Sequence, residues 1–253
     1  MTNTRHATNG NAQSGTLYCV GLGPGDPELM TVKSARILSS AKIIAYFHKC
    51  GKRGNARTIA EGLFKSDTLE LPMEYPITTE APVDSSEYQN ALTAFYDVKA
   101  GALADRLDKG HDIIVLCEGD PFFYGSFMHL YLRLRTTHNV EVVPGVTGMS
   151  GSWTNSGHPI TYGDDVMSVL PGTLPEDVLV QRIGQCDAAV IMKIGRNMAK
   201  VRRALTTAGL VDRAIYVERG TMVDEIIMPL ADKETDKAPY FSMILVPGQG
   251  RRL

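Results

Sequence analysis

Short apolar runs alternate with amphipathic stretches along most of this chain. Leu17–Gly23 predicts a strand; beyond it Val32, Ala35, Ile37 and Leu38 recur on one helical face, which predicts a helix over 27–41 with Pro27 in its first turn. Strands are expected over 42–47 and 68–72, with a helix over 57–64 between them. A long helix follows over 88–109, ended by Gly110. The continuous apolar run Ile113–Cys117 reads as a buried strand, followed by a helix over 124–135, a strand over 140–143 and a helix beginning at 149–153. Strands alternating with helices in this way predict a parallel sheet with crossover helices.

The breaker cluster at 157–165, with Gly157, Pro159 and Gly163, predicts a domain boundary. A second alternating series follows: strands over 166–170, 188–194 and 214–217, with helices over 175–185 and 198–207 between them. Strands 226–230 and 241–246 have no helix between them, which predicts an antiparallel pair closing a mixed sheet. The expected organisation is a polar, disordered tail at 1–15, an α/β domain at 16–157 with a mostly parallel sheet, and an α/β domain at 158–253 with a mixed sheet. The polar, proline-bearing stretch 76–86 reads as a surface loop able to reach over a cleft.

With 43% hydrophobic residues in 253, the chain can bury a substantial core. Its 26 basic and 28 acidic side chains leave a formal charge of −2, which argues against a broad nucleic-acid footprint. Cys19, Cys50, Cys117 and Cys186 show no C-x-x-C spacing, and no apolar run reaches the roughly 18 residues of a membrane helix. Residues 1–15 lack the apolar core of a signal peptide, so a reduced, cytoplasmic protein is expected.

The chemistry concentrates where strands end, the place where parallel α/β sheets bind ligands. Gly21-Leu22-Gly23-Pro24-Gly25-Asp26 opens like a dinucleotide fingerprint, but Asp26 replaces the third glycine and Pro24 has no N–H to offer a phosphate. Glu118-Gly119-Asp120-Pro121 adds two carboxylates after another strand. An anionic pyrophosphate fits such loops badly, whereas a cationic, hydroxyl-rich ligand such as S-adenosylmethionine fits well. Pro24–Asp26, Glu118–Asp120, Thr147–Gly148, Met192 and Glu218–Thr221 are all expected at strand ends facing one cleft. Lys49, Lys52, Arg53 and Arg57 place four cations within nine positions, which suits a substrate carrying several carboxylates; a solvated basic loop is the plainer reading. Lys193 and Arg196 form a second, weaker basic site. No His or Cys pair has metal-ligand spacing, so no metal is expected, and neither a Walker motif nor a G-x-S-x-G elbow is present.

Val20-Gly21-Leu22-Gly23-Pro24-Gly25-Asp26-Pro27-Glu28-Leu29-Met30-Thr31, Glu118-Gly119-Asp120-Pro121 and Val143-Pro144-Gly145-Val146-Thr147, with a closing β segment, resemble the tetrapyrrole methylases. The resemblance runs from about Leu17 to Gly248. Gly51-x-x-Gly54-Asn55-Ala56-Arg57, the stretch from Glu118 to Leu130, Asp164–Thr173 and Tyr216–Met222 resemble the branch that methylates carbon 20 of precorrin-2 in cobalamin synthesis. It implies two α/β domains with S-adenosylmethionine in the cleft between them, and a homodimer. It also implies cofactor contacts at Pro24, Glu118, Gly119, Asp120, Thr147, Gly148, Met192 and Gly220. On this reading Asp120 and its loop hold the cofactor while Lys49, Arg53 and Arg57 grip substrate carboxylates; Tyr124, Glu118 and His158 are the open choices for accepting the carbon-20 proton. The family loop usually reads glycine-glycine-aspartate; here Glu118 takes the first place. The rival readings are a sister methylase acting on cobalt-factor II or another ring position and a non-catalytic tetrapyrrole carrier. A dinucleotide oxidoreductase would require the glycine that Asp26 replaces.

Overall fold

The structure, a computed structural model, describes residues 14–77 and 85–250. The chain packs as two compact units: residues up to Leu22 together with Met30–Gly145, and Gly23–Leu29 together with Val146 onward. The expected tail lies almost wholly outside the described residues, as do positions 78–84 of the expected surface loop.

In the first unit five strands, β1 (Thr16–Gly21), β2 (Ile43–His48), β3 (Leu69–Glu74), β4 (Ile113–Cys117) and β5 (Asn139–Val143), form a parallel sheet in the order β3-β2-β4-β1-β5. Its helices are α1 (Val32–Ser39), α2 (Asn55–Ile59), α3 (Ser86–Leu107) and α4 (Phe127–Leu134). Leu17, Cys19, Ile113 and Val115 on one sheet face pack with Phe95, Leu103 and Leu107 of α3 and with Phe127 and Leu130 of α4. Val20, Ile44, Ile114 and Leu116 are buried as well, so the central strands are covered on both faces, as parallel strands require. Because β4, β1 and β5 are neighbours, the loops leaving their carboxyl ends emerge side by side.

The expected helix over 27–41 divides into a 3-10 turn at Pro27–Leu29 and α1. Asp26 Oδ1 accepts from Glu28 N at 2.8 Å and Thr31 Oγ1 accepts from Ser34 N at 3.2 Å, so two caps start two helical pieces. The expected helix over 57–64 is the shorter α2, because Gly62 at φ 77° turns the chain away.

The second unit contains β6 (Met167–Pro171), β7 (Ala188–Met192), β8 (Ile215–Glu218), β9 (Ile226–Pro229) and β10 (Ser242–Val246) in the order β6-β7-β10-β8-β9. β6 and β7 are parallel; β10 runs antiparallel to both β7 and β8, and β9 antiparallel to β8. The sheet is mixed as expected, but β9 and β10 do not pair, since β10 inserts between β7 and β8. Helices α6 (Glu176–Ile183) and α7 (Met198–Thr207) cover one face through Leu179, Ile183, Met198, Val201 and Leu205.

Helix α5 (Gly148–Asn155) packs Met149 and Trp153 with Val190, Val217 and Leu245 of the same sheet. Both side chains are half-buried, and the second compact unit takes in the chain from Val146 onward, α5 included, whereas the breaker cluster pointed to 157/158. No helix of the described residues is long and apolar enough to cross a membrane.

Candidate active site

In the first unit, the loops after β1, β4 and β5 meet at Gly21, Gly119 and Gly145. A Cβ on Gly145 would lie 2.1 Å from Gly119 O and 2.9 Å from Gly21 Cα, and one on Gly21 would lie 2.6 Å from Gly145 N. Three backbones therefore touch where no side chain fits. Asp120 holds this junction: its Oδ1 accepts from Phe122 N at 2.9 Å and its Oδ2 from Gly145 N at 3.1 Å. The carboxylate expected to hold a cofactor is thus already fixed by two backbone donors, and each oxygen retains a second lone pair for a ligand hydroxyl. Gly145, absent from the expected contact set, is as necessary to this arrangement as Gly119; its signal was the Pro144-Gly145 turn immediately after β5.

Glu118 is half-buried and Oε1 accepts from Ala56 N at 3.1 Å, tying α2 to the loop after β4. Burial pushes its carboxyl above the usual range, opposed by hydrogen bonds from its own backbone N–H and that of Ala56. The expected substrate cations behave differently from one another. Arg57 donates from Nε and Nη2 to the two oxygens of Glu70, both at 2.8 Å, and its guanidinium lies 4.6 Å from the centre of the Phe64 ring. Tyr46 donates to the same carboxylate at 2.9 Å. Hydrogen bonds from Arg57 and Tyr46 hold the Glu70 carboxyl below its usual range against the opposing effect of burial. Arg57 thus spends its fork inside the unit, with Nη1 buried and lacking a hydrogen-bond partner among the described residues. Arg53 pairs bidentately with Glu61 in an exposed position, an arrangement that a substrate carboxylate can displace at small cost. Tyr124 sits in the left-handed region at φ 57°, its ring edge-on to Phe123.

In the second unit, the segment Gly23–Leu29 lies beside α5 and the turn after β8. Asp26 N donates to Thr221 Oγ1 at 3.2 Å. A Cβ on Gly151 would fall 2.7 Å from Pro24 Cγ and 2.8 Å from Thr221 Cγ2, and one on Gly220 would fall 2.5 Å from Ser152 Oγ. Pro24 and Gly220 are thereby brought together with Thr221, which the expected contact set had omitted. Thr147 is the N-cap of α5, accepting from Ser150 N at 3.3 Å. Met192 ends β7, where its carbonyl accepts from Gly172 N at 2.6 Å, and Lys193 follows it at φ 55°. His158, one of three candidate proton acceptors, lies with Arg213, Ala214 and Pro247 at the amino end of β8, the opposite end from Thr221.

Loops 21–26, 118–121 and 144–148 offer carbonyls, carboxylates and hydroxyls and contain no Lys or Arg. In each unit taken by itself, these groups accept hydrogen bonds from ribose-like hydroxyls and tolerate positive charge, so the residues present fit a sulfonium nucleoside. The profile of the tetrapyrrole (corrin/porphyrin) methylases matches residues 16–233. The chain belongs to the tetrapyrrole methylase family. It is 53% identical over 234 residues to a precorrin-2 C(20)-methyltransferase from Sinorhizobium sp, covering 92% of this chain and 96% of that one. It is 44% identical over 238 residues to the cobalamin biosynthesis protein CobIJ of Mycobacterium bovis, covering 94% of this chain and spanning 47% of that longer protein. The structure superposes on the cobalt precorrin-4 methyltransferase CbiF with a TM-score of 0.68 at 24% identity, covering 92% of this chain and 94% of that one, a likeness of fold. The two-unit methylase architecture is therefore the one expected from the residues.

Proposed function

We propose that this methylase transfers a methyl group from S-adenosylmethionine to carbon 20 of precorrin-2, giving precorrin-3A. The observation that carries the reading is the 53% identity with the Sinorhizobium enzyme over nearly the full length of both chains. The sulfonium supplies a methyl group with a neutral thioether as leaving group, so the chain's contribution is orientation and exclusion of water rather than strong acid or base chemistry. In the first unit, Glu118, Gly119 and Asp120 are the proposed cofactor contacts; in the second, Pro24, Thr147, Gly148, Met192 and Gly220. Lys49 and Arg53 are the proposed carboxylate grips. Arg57 acts at one remove, its fork engaged by Glu70, which also accepts from Tyr46. Of the three proton acceptors considered, Glu118 is the preferred one, because burial raises its carboxyl above the usual range, which makes its carboxylate a better proton acceptor, and His158 lies at the far end of β8. A homodimer in the cytoplasm completes the reading.

The test is incubation of the protein with S-adenosylmethionine and precorrin-2, with and without cobalt, reading mass gain and the methylated carbon by NMR. A single methyl at carbon 20 of the metal-free substrate supports the proposal. Turnover only with cobalt moves the chain to the sister reaction, and tetrapyrrole binding without methylation makes it a carrier.

A further inference from the structure

Among the described residues, four that are not glycine adopt left-handed backbone: Tyr124, Lys193, Arg219 and Thr221. All four follow the carboxyl ends of strands. Thr221 is the most strained of them by residue type, since a β-branched side chain at φ 68° crowds its own backbone. Such a conformation persists only where its surroundings over-determine it.

Those surroundings are unusually complete. Thr221 N donates to Glu225 Oε2 at 2.5 Å, and Asn155 Nδ2 at the end of α5 donates to the same oxygen at 3.0 Å. The Thr221 hydroxyl then accepts from Asp26 N at 3.2 Å. Its methyl presses on the surface left bare by Gly151, and a Cβ on Gly25 would lie 3.1 Å from its Oγ1 and 2.5 Å from Met222 Cγ. Three segments distant in sequence, loop 23–26, helix α5 and turn 219–225, are locked at one side chain, and two of them keep glycine where that side chain must approach.

We propose that Thr221 is a positioning residue for the glycine-proline loop, and that Glu225 and Asn155 hold Thr221 in the backbone conformation that aims its hydroxyl at Asp26 N. The strain at Thr221 is retained because it turns Oγ1 toward loop 23–26, which presents Pro24 to the cofactor. This inference rests on the reading of that loop as a cofactor contact.

The test compares Thr221→Val with Thr221→Ser. Valine keeps the β-branch, and with it the backbone strain and the packing on Gly151, but leaves Asp26 N without its acceptor; serine keeps the acceptor and loses the methyl. S-adenosylhomocysteine affinity is measured by calorimetry beside KM and kcat with precorrin-2. Thr221→Val is expected to weaken cofactor binding roughly tenfold, the loss of about one hydrogen bond's ordering effect, with KM for S-adenosylmethionine rising and kcat falling less. Thr221→Ser restores affinity to within about threefold of the parent. Should Thr221→Val fail to fold, Glu225→Ala, which removes the acceptor for Thr221 N, is expected to give the same rise in KM. Unchanged cofactor affinity in folded Thr221→Val, or in Glu225→Ala where the valine variant does not fold, overturns the proposal. A parent protein that binds no S-adenosylhomocysteine overturns the cofactor reading itself, a result separate from any difference among variants.

Discussion

Ala56 at the start of α2 gives its backbone N–H to Glu118 Oε1 at 3.1 Å, so the first carboxylate after β4 ties a helix to that loop. Burial raises the Glu118 carboxyl above its unfolded range, so folding favours its neutral form relative to the unfolded chain. In the window between the unfolded and folded values the native state binds more protons, so stability contributed by this group is present at acid pH and is lost as pH rises through that window. Glu118→Gln keeps an acceptor for Ala56 and never ionises. The variant is expected to match or exceed the parent's Tm at pH 7, with the difference shrinking toward pH 4. Thermal melts across that range check the sign. If Glu118 also accepts the carbon-20 proton, the same variant loses turnover while staying folded, which separates the two roles.

Asp120→Asn places an amide nitrogen where one of two backbone donors, Phe122 N or Gly145 N, now finds an oxygen. The expected cost is about 1–3 kcal/mol of stability, read by denaturant titration, together with at least a tenfold loss of S-adenosylmethionine affinity. Full affinity and turnover in this variant would remove Asp120 from the cofactor set.

Local pattern made the elements legible where a helix or strand is determined by its own residues. Helix α7 spans Met198–Thr207 as its periodicity predicts, because Met198, Val201, Ala204 and Leu205 form one buried stripe. The buried strand Ile113–Cys117 likewise matches its apolar run. What pattern did not show is who pairs with whom. β10 reaches between β7 and β8 through long-range hydrogen bonds, and Asp26 meets Thr221 across 195 positions. The glycine-rich and acidic loops were legible as chemistry, but the engagement of Arg57 by Glu70 was not, since charge alone does not distinguish a substrate grip from an internal pair.

The glycine junction gives a contrast between two neighbouring positions. Gly145→Ala puts a Cβ against the Gly119 carbonyl and the Gly21 backbone, neither of which is a flexible side-chain end. The expected loss is about 1–3 kcal/mol or more, with the loops after β1, β4 and β5 forced apart. At Gly148 the nearest atom to an added Cβ is Met243 Cε at 3.7 Å, an ordinary contact, so Gly148→Ala is expected to change stability by no more than about 0.5 kcal/mol. Chemical denaturation of both variants checks the pair. Any loss of cofactor affinity in stable Gly148→Ala then reports close approach of the ligand to that backbone.

Arg53 and Arg57 differ in what they hold, and alanine at each position exposes the difference. The Arg53–Glu61 pair is exposed on both sides, so Arg53→Ala is expected to leave the melting temperature nearly unchanged. If Arg53 grips a substrate carboxylate, the variant shows a raised KM for the tetrapyrrole with an unchanged Tm. Arg57→Ala instead strips Glu70 of its bidentate partner and leaves Tyr46 as its one side-chain hydrogen-bond donor among the described residues, which is expected to cost about 1–3 kcal/mol. The folded-state Glu70 carboxyl is held below its unfolded value, so this stabilisation is present above the unfolded range and disappears as pH falls through the folded one. Melts of parent and Arg57→Ala should therefore diverge at neutral pH and converge in acid. Equal melts at pH 7 would show that the Arg57–Glu70 pair contributes no net stability, and would leave Arg57 available as a third carboxylate grip.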